Sequence, residues 1–332
     1  MKILITGANG NISWYFVQLA INSGYEVYAI GRSFNKVTRR SLPKEVKKIE
    51  CDLRNIIDVK EKLGNLYFDV VCDFICYNKK HAEEAIELYK NITNHYIFIS
   101  SEAIYERENK FRPFNETTPF TNSVTSNYIK GKIEAEYAFQ KAFEDFNFPI
   151  TILRPSFTYD TLMPTSIGLN CYTAINRYKN DNIVLIAGDG NNLWSFTHSK
   201  DFATALLGII NNQKSIGQDY NLVGDVQLTW NKATDIIIEE LQLNNPQILY
   251  VPKEIILNNS LFGEYDLINQ RITDNIFDNS KLKNLLPSWS SVIDFKKGIS
   301  ETIKWLEEDS SRQRINPTLD YTIKELYKIG KK

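Results

Sequence analysis

The chain has 332 residues, 43% of them hydrophobic and 24% charged, which is an ordinary balance for about two globular domains or one large α/β unit. A formal charge of −1 provides no basic field for nucleic acid, and no apolar stretch reaches the ~18–20 residues of a membrane span. The first apolar run is too short for a secretory signal, and the four cysteines have no metal-ligand spacing to the three histidines. We therefore expect a cytoplasmic protein that binds no metal, no nucleic acid and no membrane.

The first half of the chain alternates strand and helix signals. Short apolar runs rich in β-branched and aromatic residues predict strands at Lys2–Thr6, Glu26–Ile30, Lys48–Asp52, Asp69–Ile75, Tyr96–Ser100 and Ile150–Leu153. Segments of helical period lie between them, at Ile12–Asn22, Val59–Leu63, Ala82–Tyr89 and Tyr128–Phe146. This alternation predicts an α/β fold, namely a Rossmann-type doubly wound parallel sheet with helices on both faces.

The alternation becomes less regular after about Pro155. The later predicted elements are a strand at Asn182–Ala187, a helix at Lys200–Ile210, a strand at Tyr220–Val223 and a helix at Asn231–Leu241. Residues 155–180 and 225–310 suit a smaller C-terminal lobe that binds the substrate. We place the Rossmann-type domain at residues 1–155 and the mainly substrate-binding lobe at residues 156–332, with some segments returning to the first sheet.

A glycine-rich turn connects the first predicted strand to the first predicted helix. Gly7 permits a tight turn, and Gly10 lets the backbone approach a pyrophosphate. The helix N-terminus adds N–H groups and a positive dipole, both of which favour phosphate. Ser13 replaces the third glycine of such turns and is small enough to be tolerated. The turn therefore predicts a dinucleotide site, formed by Gly7, Asn9, Gly10, Asn11 and Ile12.

Residues after the second and third strands bear on the choice of cofactor. Arg32 follows the second strand, where an acid usually holds the ribose 2′-hydroxyl of NAD and an arginine suits the 2′-phosphate of NADP. Arg32 therefore favours NADP(H), with NAD(H) as the alternative, unless this arginine only stacks on adenine. Further candidates at the 2′-phosphate are Ser33, Lys36 and Arg39. Asp52 and Leu53 would lie beside the adenine, although Asp52 could instead cap the following turn.

Tyr128 and Lys132 lie four residues apart in a predicted helix and therefore share one face. A neighbouring ammonium favours the phenolate and lowers the pKa of a tyrosine, so that the phenol can act as general acid or base at neutral pH. Two other pairs have the same spacing and are interpreted as packing residues: Tyr137 with Lys141, and Tyr327 with Lys331.

Only the first pair follows the fifth predicted strand, which runs into Ser100 and Ser101. Open α/β sheets bind ligands at the carboxyl edge, where this strand ends. The Ser101 hydroxyl could donate a hydrogen bond to the oxygen that Tyr128 protonates. We therefore predict Ser101, Tyr128 and Lys132 as the catalytic residues.

The order of these motifs resembles that of the extended short-chain dehydrogenase/reductase family, also called the NAD-dependent epimerase/dehydratase family. The resemblance covers nearly the whole chain. Its motifs are Thr6-Gly7-x-x-Gly10, Gly31-Arg32, Asp52-Leu53, Ser100-Ser101-x-x-x-Tyr105, Tyr128-x-x-x-Lys132, Arg154-Pro155, Phe196-x-His198-x-x-Asp201 and Phe277-Asp278-Asn279-Ser280-Lys281.

The resemblance implies hydride transfer between a nicotinamide and a substrate carbon while Tyr128 moves the proton. Lys132 would also bind the nicotinamide ribose, and Pro155 would place backbone near the nicotinamide. Typical substrates of the family are nucleotide-linked sugars that react at C4. A homodimer formed through the helix that carries Tyr128 is expected as well.

Three positions bear on the substrate. Sugar-nucleotide dehydratases carry an Asp-Glu pair after the catalytic hydroxyl residue, whereas this chain has Glu102-Ala103, so that the second acid is missing. Trp194 stands where relatives often carry an arginine that holds a diphosphate, and it could equally be a core residue. Arg271 or Arg177 could supply that charge instead. We therefore predict Glu102, Trp194 and Arg271 as substrate-binding residues.

The leading functional hypothesis is an NAD(P)-dependent oxidoreductase that acts on a sugar or nucleotide-sugar carbonyl, specifically a 4-keto reductase. A C4 epimerase needs the same three catalytic residues and is the alternative. A third hypothesis is a non-catalytic dinucleotide- or RNA-binding protein, because Gln227–Lys232 resembles a branch of the family with chloroplast RNA-binding members. The intact catalytic set argues against this third hypothesis.

Overall fold

The computed structural model describes residues 1–35, 39–122, 126–168, 172–258 and 271–329. The strands are β1 (Lys2–Thr6), β2 (Glu26–Gly31), β3 (Lys47–Glu50), β4 (Val70–Asp73), β5 (Tyr96–Ile99), β6 (Ile150–Pro155), β7 (Phe157–Tyr159), β8 (Ile183–Ala187), β9 (Leu193–His198), β10 (Gln218–Leu222), β11 (Val226–Thr229) and β12 (Gln247–Val251). The helices are α1 (Trp14–Asn22), α2 (Ile56–Leu63), α3 (Lys79–Tyr89), α4 (Asn127–Phe146), α5 (Tyr172–Asp181), α6 (Ser199–Ile210), α7 (Trp230–Glu240), α8 (Lys253–Asn258), α9 (Ser280–Leu285), α10 (Phe295–Glu307) and α11 (Pro317–Ile329).

The chain divides into two compact units. The N-terminal unit comprises Met1–Ser156, Ser199–Gly224 and Asp278–Ser290. The C-terminal unit comprises Phe157–His198, Asp225–Phe277 and Ser291–Lys332. Within the ranges that the structure describes, no helix is long and apolar enough to cross a membrane.

The N-terminal unit is built on a parallel sheet. Among the described residues this sheet has seven strands in the order β10-β6-β5-β4-β1-β2-β3, with every pairing parallel. The strand order reverses between β1 and β4, and ligands of open α/β sheets bind outside the carboxyl ends of the strands at such a point. The predicted α/β fold with a Rossmann-type parallel sheet is confirmed.

Side chains of the central strands alternate between two buried layers. Ile3 and Ile5 of β1 pack in a layer with residues of α1 and α6, whereas Leu4 points into a layer with residues of α2, α3 and α4. Burial on both faces explains why these strands read as continuous apolar runs in the sequence. The sheet thereby fixes its loops and helices around the carboxyl edge.

The C-terminal unit contains two smaller sheets within the described residues. One has the order β11-β9-β7, with β11 antiparallel to β9, and the other is the parallel pair β12-β8. Aromatic side chains fill its core, where the Trp194 and Trp230 ring centroids lie 5.0 Å apart. The predicted strand at Tyr220–Val223 corresponds to β10 and joins the first sheet beside β6.

A buried histidine in the N-terminal unit makes stability depend on pH. His95 is 5% exposed, and its Nε2 lies 2.7 Å from Thr151 Oγ1. The Thr151 hydroxyl donates its only proton to Ser215 O at 2.7 Å, so the imidazole must donate from Nε2. Burial lowers the pKa of His95 from 6.5 to about 4, which keeps the ring neutral.

We expect the N-terminal unit to lose about 2 kcal/mol of unfolding free energy through His95 as the pH falls from 8 to 5. The folded pKa lies below the unfolded one, so this stabilisation is complete above pH 6.5 and is lost as the pH falls towards 4. Thermal denaturation of wild type and His95→Gln at pH 8, 6.5 and 5 measures it. The difference in unfolding free energy between wild type and His95→Gln should narrow at low pH. A difference that does not change with pH would contradict the neutral, buried state assigned to His95.

Candidate active site

The glycine turn after β1 is held closed by its own backbone and by Ser13. Gly7 has a φ of +66°, and a methyl group there would lie 2.8 Å from Ile75 Cγ2, so that only glycine fits. Gly10 N donates to Gly7 O at 3.0 Å and to Ser13 Oγ at 3.0 Å, and Ser13 Oγ donates to Gly7 O at 2.6 Å. Ser13 is therefore part of the turn and more than a tolerated replacement for glycine.

The same turn offers donors to an anion. The Asn9 side-chain nitrogen is buried and has no hydrogen-bond partner among the described residues, and α1 begins four residues after Gly10. A buried unpaired amide nitrogen is costly unless a ligand accepts from it. Asn11 is 7% exposed, and its carbonyl accepts from Ser199 Oγ at 2.8 Å, which anchors the turn to α6. Ile12 is partly buried beneath the turn. These residues fit a bound pyrophosphate.

Residues predicted around the adenosine end lie where their strands end. Arg32 and Ser33 are exposed beyond β2, and Lys36 lies outside the described residues. Asp52 accepts from Arg54 N at 3.0 Å, so its carboxylate caps the turn after β3. Leu53 packs partly buried against the core. The structure therefore contains the turn cap that the sequence suggested for Asp52, and the adenine contact stays a prediction.

The Lys132 side chain is fixed by backbone carbonyls at the carboxyl edge of the sheet. It is 2% exposed, and its Nζ donates to Cys76 O at 2.6 Å and to Ile99 O at 2.7 Å. Nζ also lies 5.8 Å from the centre of the Tyr128 ring. Burial lowers the pKa of Lys132 to about 8, so the side chain is still mostly charged at neutral pH.

Helix α4 can approach this edge because residue 131 is glycine. A methyl group on Gly131 would lie 2.3 Å from Tyr77 O and 3.2 Å from Asn78 Cβ. The close approach brings Tyr128 and Lys132 to the loop that follows β4. Sequence spacing alone did not reveal this requirement.

The expected lowering of the Tyr128 pKa by Lys132 is wrong for this structure. Burial raises the pKa of Tyr128 to about 12, and the hydrogen bond with the Ser101 hydroxyl only partly opposes that rise. The side chain as a whole is 37% exposed, but the surroundings of its oxygen decide the pKa. With this pKa the phenol is protonated at neutral pH.

Ser101 stands beside the phenol at the start of a short 3₁₀ turn. Its Oγ accepts from Ala103 N at 3.2 Å, which fixes the hydroxyl next to Tyr128. Ser101, Tyr128 and Lys132 are therefore brought together, as their spacing predicts. The preceding hydroxyl, Ser100 Oγ, is buried without a hydrogen-bond partner among the described residues and was missed by sequence reasoning.

A buried polar network between β1 and β4 was also missed. Asp73 Oδ1 accepts from Thr6 Oγ1 at 2.6 Å, and Asp73 Oδ2 accepts from the Tyr96 hydroxyl at 2.6 Å. Thr6 and Asp73 are register partners at the ends of adjacent strands. Polar residues that end two neighbouring apolar strands were the signal that could have revealed this network.

The Arg154-Pro155 motif supports α4 from β6. Arg154 is 1% exposed and donates to Glu136 at 3.0 and 2.6 Å and to the Tyr105 hydroxyl at 2.9 Å. It also lies 2.9 Å from Asp219. Pro155 ends β6 directly beside this network. The arginine therefore has a structural role next to the predicted nicotinamide contact.

The three predicted substrate residues do not all lie in one unit. Glu102 is buried in the N-terminal unit and forms an ion pair with Arg107. In the C-terminal unit, Trp194 packs against Phe157 and Trp230, and its Nε1 donates to Thr273 O at 3.1 Å. The core-packing alternative for Trp194 is therefore the one that the structure contains.

Arg271 is buried in the C-terminal unit, where backbone carbonyls accept from its guanidinium. Its Nη1 donates to Thr165 O and, at 2.8 Å, to Ser166 O, and the guanidinium lies 5.4 Å from the centre of the Phe157 ring. Burial lowers the pKa of Arg271 to about 10. Arg177, the other candidate, is an ion-pair partner of Asp181 and Asp320.

Comparison with known proteins agrees with the family resemblance of the sequence motifs. Residues 3–223 match the family described as the NAD dependent epimerase/dehydratase family. Over 98% of its length the chain is 23% identical to the chloroplast stem-loop binding protein of 41 kDa b from Arabidopsis thaliana, and the match spans 83% of that protein.

Two solved structures show the same fold. The dTDP-glucose 4,6-dehydratase of Bacillus anthracis in complex with NAD is 19% identical with a TM-score of 0.73, and the match covers 93% of this chain and 97% of that one. The UDP-glucuronic acid 4-epimerase of Bacillus cereus in complex with NAD is 20% identical with a TM-score of 0.72, over 93% and 99% of the two chains.

Proposed function

The chain belongs to the NAD dependent epimerase/dehydratase family, and from that premise we propose that it is a 4-keto reductase that acts on a sugar or nucleotide sugar with a nicotinamide dinucleotide. The observation that carries the proposal is the grouping of Ser101, Tyr128 and Lys132 at the carboxyl edge of the sheet, where the Tyr128 phenol is hydrogen bonded to Ser101. Reduction of a carbonyl needs a proton donor, and the Tyr128 phenol beside Ser101 supplies one.

In the proposed reaction the bound dinucleotide supplies a hydride to the carbonyl carbon. Ser101 donates a hydrogen bond to the carbonyl oxygen, and Tyr128 donates its phenolic proton to the same oxygen, which leaves a secondary alcohol. The hydrogen bond with Ser101 stabilises the resulting phenolate, and Lys132 Nζ lies 5.8 Å from the centre of the Tyr128 ring. The proton is then returned to Tyr128 from solvent.

The residues proposed to hold the dinucleotide are those of the glycine turn and the strand ends. Gly7, Gly10 and Asn9 would hold the pyrophosphate, and Lys132 would hold the nicotinamide ribose. Asp52 and Leu53 would flank the adenine, and Pro155 would lie near the nicotinamide. Arg32, exposed beyond β2, favours NADP(H) over NAD(H).

The substrate class follows from what the chain has and lacks. Ala103 stands where a dehydratase needs its second acid, so we do not propose elimination of water. Buried Arg271 provides a positive charge for a diphosphate, a role for which Trp194 is unsuited. The homodimer and the cytoplasmic location expected from the sequence stay predictions.

A C4 epimerase is the second candidate, because UDP-glucuronic acid 4-epimerase has the same fold and the same three catalytic residues would serve. The likeness to a chloroplast stem-loop binding protein keeps a non-catalytic RNA-binding role as the candidate of another class.

Cofactor retention and consumption separate these candidates. The nucleotide released from the purified protein is identified by chromatography, and NADPH absorbance is followed with a 4-keto nucleotide sugar. A reductase exchanges its cofactor freely and consumes NADPH. Tightly held NAD with interconversion of 4-hydroxyl epimers would instead establish the epimerase, and affinity for RNA without either activity would establish the third candidate.

A further inference from the structure

Arg39 lies over the glycine turn. A methyl carbon placed on Gly10 would lie 3.8 Å from Arg39 Nη1, so the guanidinium covers backbone that a larger residue at position 10 would crowd. Arg39 is exposed, and it forms no hydrogen bond or ion pair with any other residue that the structure describes. An arginine at this place that has no carboxylate partner among the described residues is suited to receive an anion.

Asn9 provides an independent sign of a ligand at the same turn. Its side-chain nitrogen is buried and has no partner within the described ranges. Asn9 immediately precedes Gly10, so the amide and the guanidinium belong to the same few residues of the turn. Two donors that lack protein acceptors at one turn indicate that an acceptor from outside the protein completes them.

Arg39 also acts on the loop that follows β4. Burial raises the pKa of Tyr77 in that loop, Asp73 adds to the rise, and the positive charge of Arg39 opposes it. Ile75 of the same loop lies 2.8 Å from a methyl carbon placed on Gly7. The positive charge of Arg39 therefore reaches this loop as well as the turn at Gly10, whereas Arg32 directly follows β2.

We infer that Arg39 and Asn9 clamp the pyrophosphate of the dinucleotide, so that Arg39 is not a helper of Arg32 at the 2′-phosphate. The pyrophosphate is common to NADH and NADPH, so Arg39 contributes equally to the binding of both. Arg32 contributes to the binding of NADPH alone. The inference rests on the proposed function, because it requires that a dinucleotide binds at this turn.

Calorimetric titration with four probes tests the clamp: NADH, NADPH, ADP and AMP. The variants are Arg39→Gln, Arg39→Lys and Arg32→Gln, with Lys44→Gln as a control that removes one exposed charge from the same segment. Arg39→Gln should lower the affinity for NADH, NADPH and ADP about tenfold each and the affinity for AMP less than about twofold. Arg39→Lys should lower these affinities less than Arg39→Gln does. Arg32→Gln should lower the affinity for NADPH alone, and Lys44→Gln should bind all four probes as wild type does.

Two results would overturn the clamp while the proposed function stands. Wild-type affinity of Arg39→Gln for NADH would show that Arg39 does not reach the pyrophosphate. A loss confined to NADPH would place Arg39 at the 2′-phosphate. If wild type binds neither dinucleotide, the proposed function fails and the clamp fails with it. Failure of the clamp alone is seen only in the Arg39→Gln variant, so the two outcomes can be told apart. Thermal denaturation confirms that each variant is folded.

Discussion

Tyr128→Phe should lower the rate of carbonyl reduction by about 10²–10⁴-fold, because it removes the proton donor and leaves the ring in place. The affinity for NADPH should change little, since the phenol is proposed to act on the substrate oxygen and not on the dinucleotide. Single-turnover oxidation of NADPH in the presence of a keto sugar measures the rate, and titration of NADPH fluorescence measures the affinity.

Tyr137→Phe is the matched control for this prediction. Tyr137 and Lys141 have the same spacing on the same helix, but Tyr137 is 57% exposed and packs beside Phe120 at 5.4 Å between ring centres. This variant should retain the wild-type rate. If the two variants lose activity equally, or if Tyr128→Phe keeps full activity, Tyr128 is not the proton donor.

Glu136→Gln should lower the unfolding free energy of the N-terminal unit by about 3 kcal/mol, because it leaves Arg154 buried with only part of its counter-charge. Arg154 and Glu136 are 1% and 0% exposed, and the pair links β6 to α4. Asp219, at 2.9 Å from Arg154, retains some compensation and keeps the loss at the lower end of the range for broken buried pairs. Thermal or urea denaturation of the two proteins measures the difference.

Glu134→Gln on the same helix is the control for the ion pair. The Glu134 side chain is 41% exposed, and its oxygen lies 3.9 Å from Lys130 Nζ, so the change should cost less than about 0.5 kcal/mol. A double variant, Glu136→Met with Arg154→Met, should recover much of the loss because no unpaired charge stays buried. Equal losses in Glu134→Gln and Glu136→Gln would contradict the role assigned to this pair.

The parallel sheet could be predicted because its strands carry their signal locally. Strands such as β1 and β4 are buried on both faces, so each appears as an apolar run bounded by turn residues. Strands β7, β9, β11 and β12 of the C-terminal unit were not predicted. Strands β7 and β11 span only three and four residues, so neither periodicity nor composition separates them from loops.

The grouping of Ser101, Tyr128 and Lys132 could be predicted from spacing and order, but the electrostatics of the three side chains could not. The carbonyls that hold Lys132 belong to Cys76 and Ile99, which lie 56 and 33 residues away in the sequence. Only the folded chain shows that these carbonyls hold the ammonium and that burial then raises the pKa of Tyr128. Trp194 is a similar case, because its aromatic neighbour Trp230 lies on a separate element.

Transfer of deuterium tests most directly whether Tyr128, Ser101 and Lys132 form a hydride-transfer site. The protein is incubated with NADPH deuterated at C4 of the nicotinamide and a 4-keto nucleotide sugar, and the product is analysed by mass spectrometry. Wild type should give the 4-hydroxy sugar with one deuterium on carbon, and Tyr128→Phe should give almost none in the same time. A product without deuterium, or a wild-type protein that binds no dinucleotide at all, would contradict the enzyme proposed here.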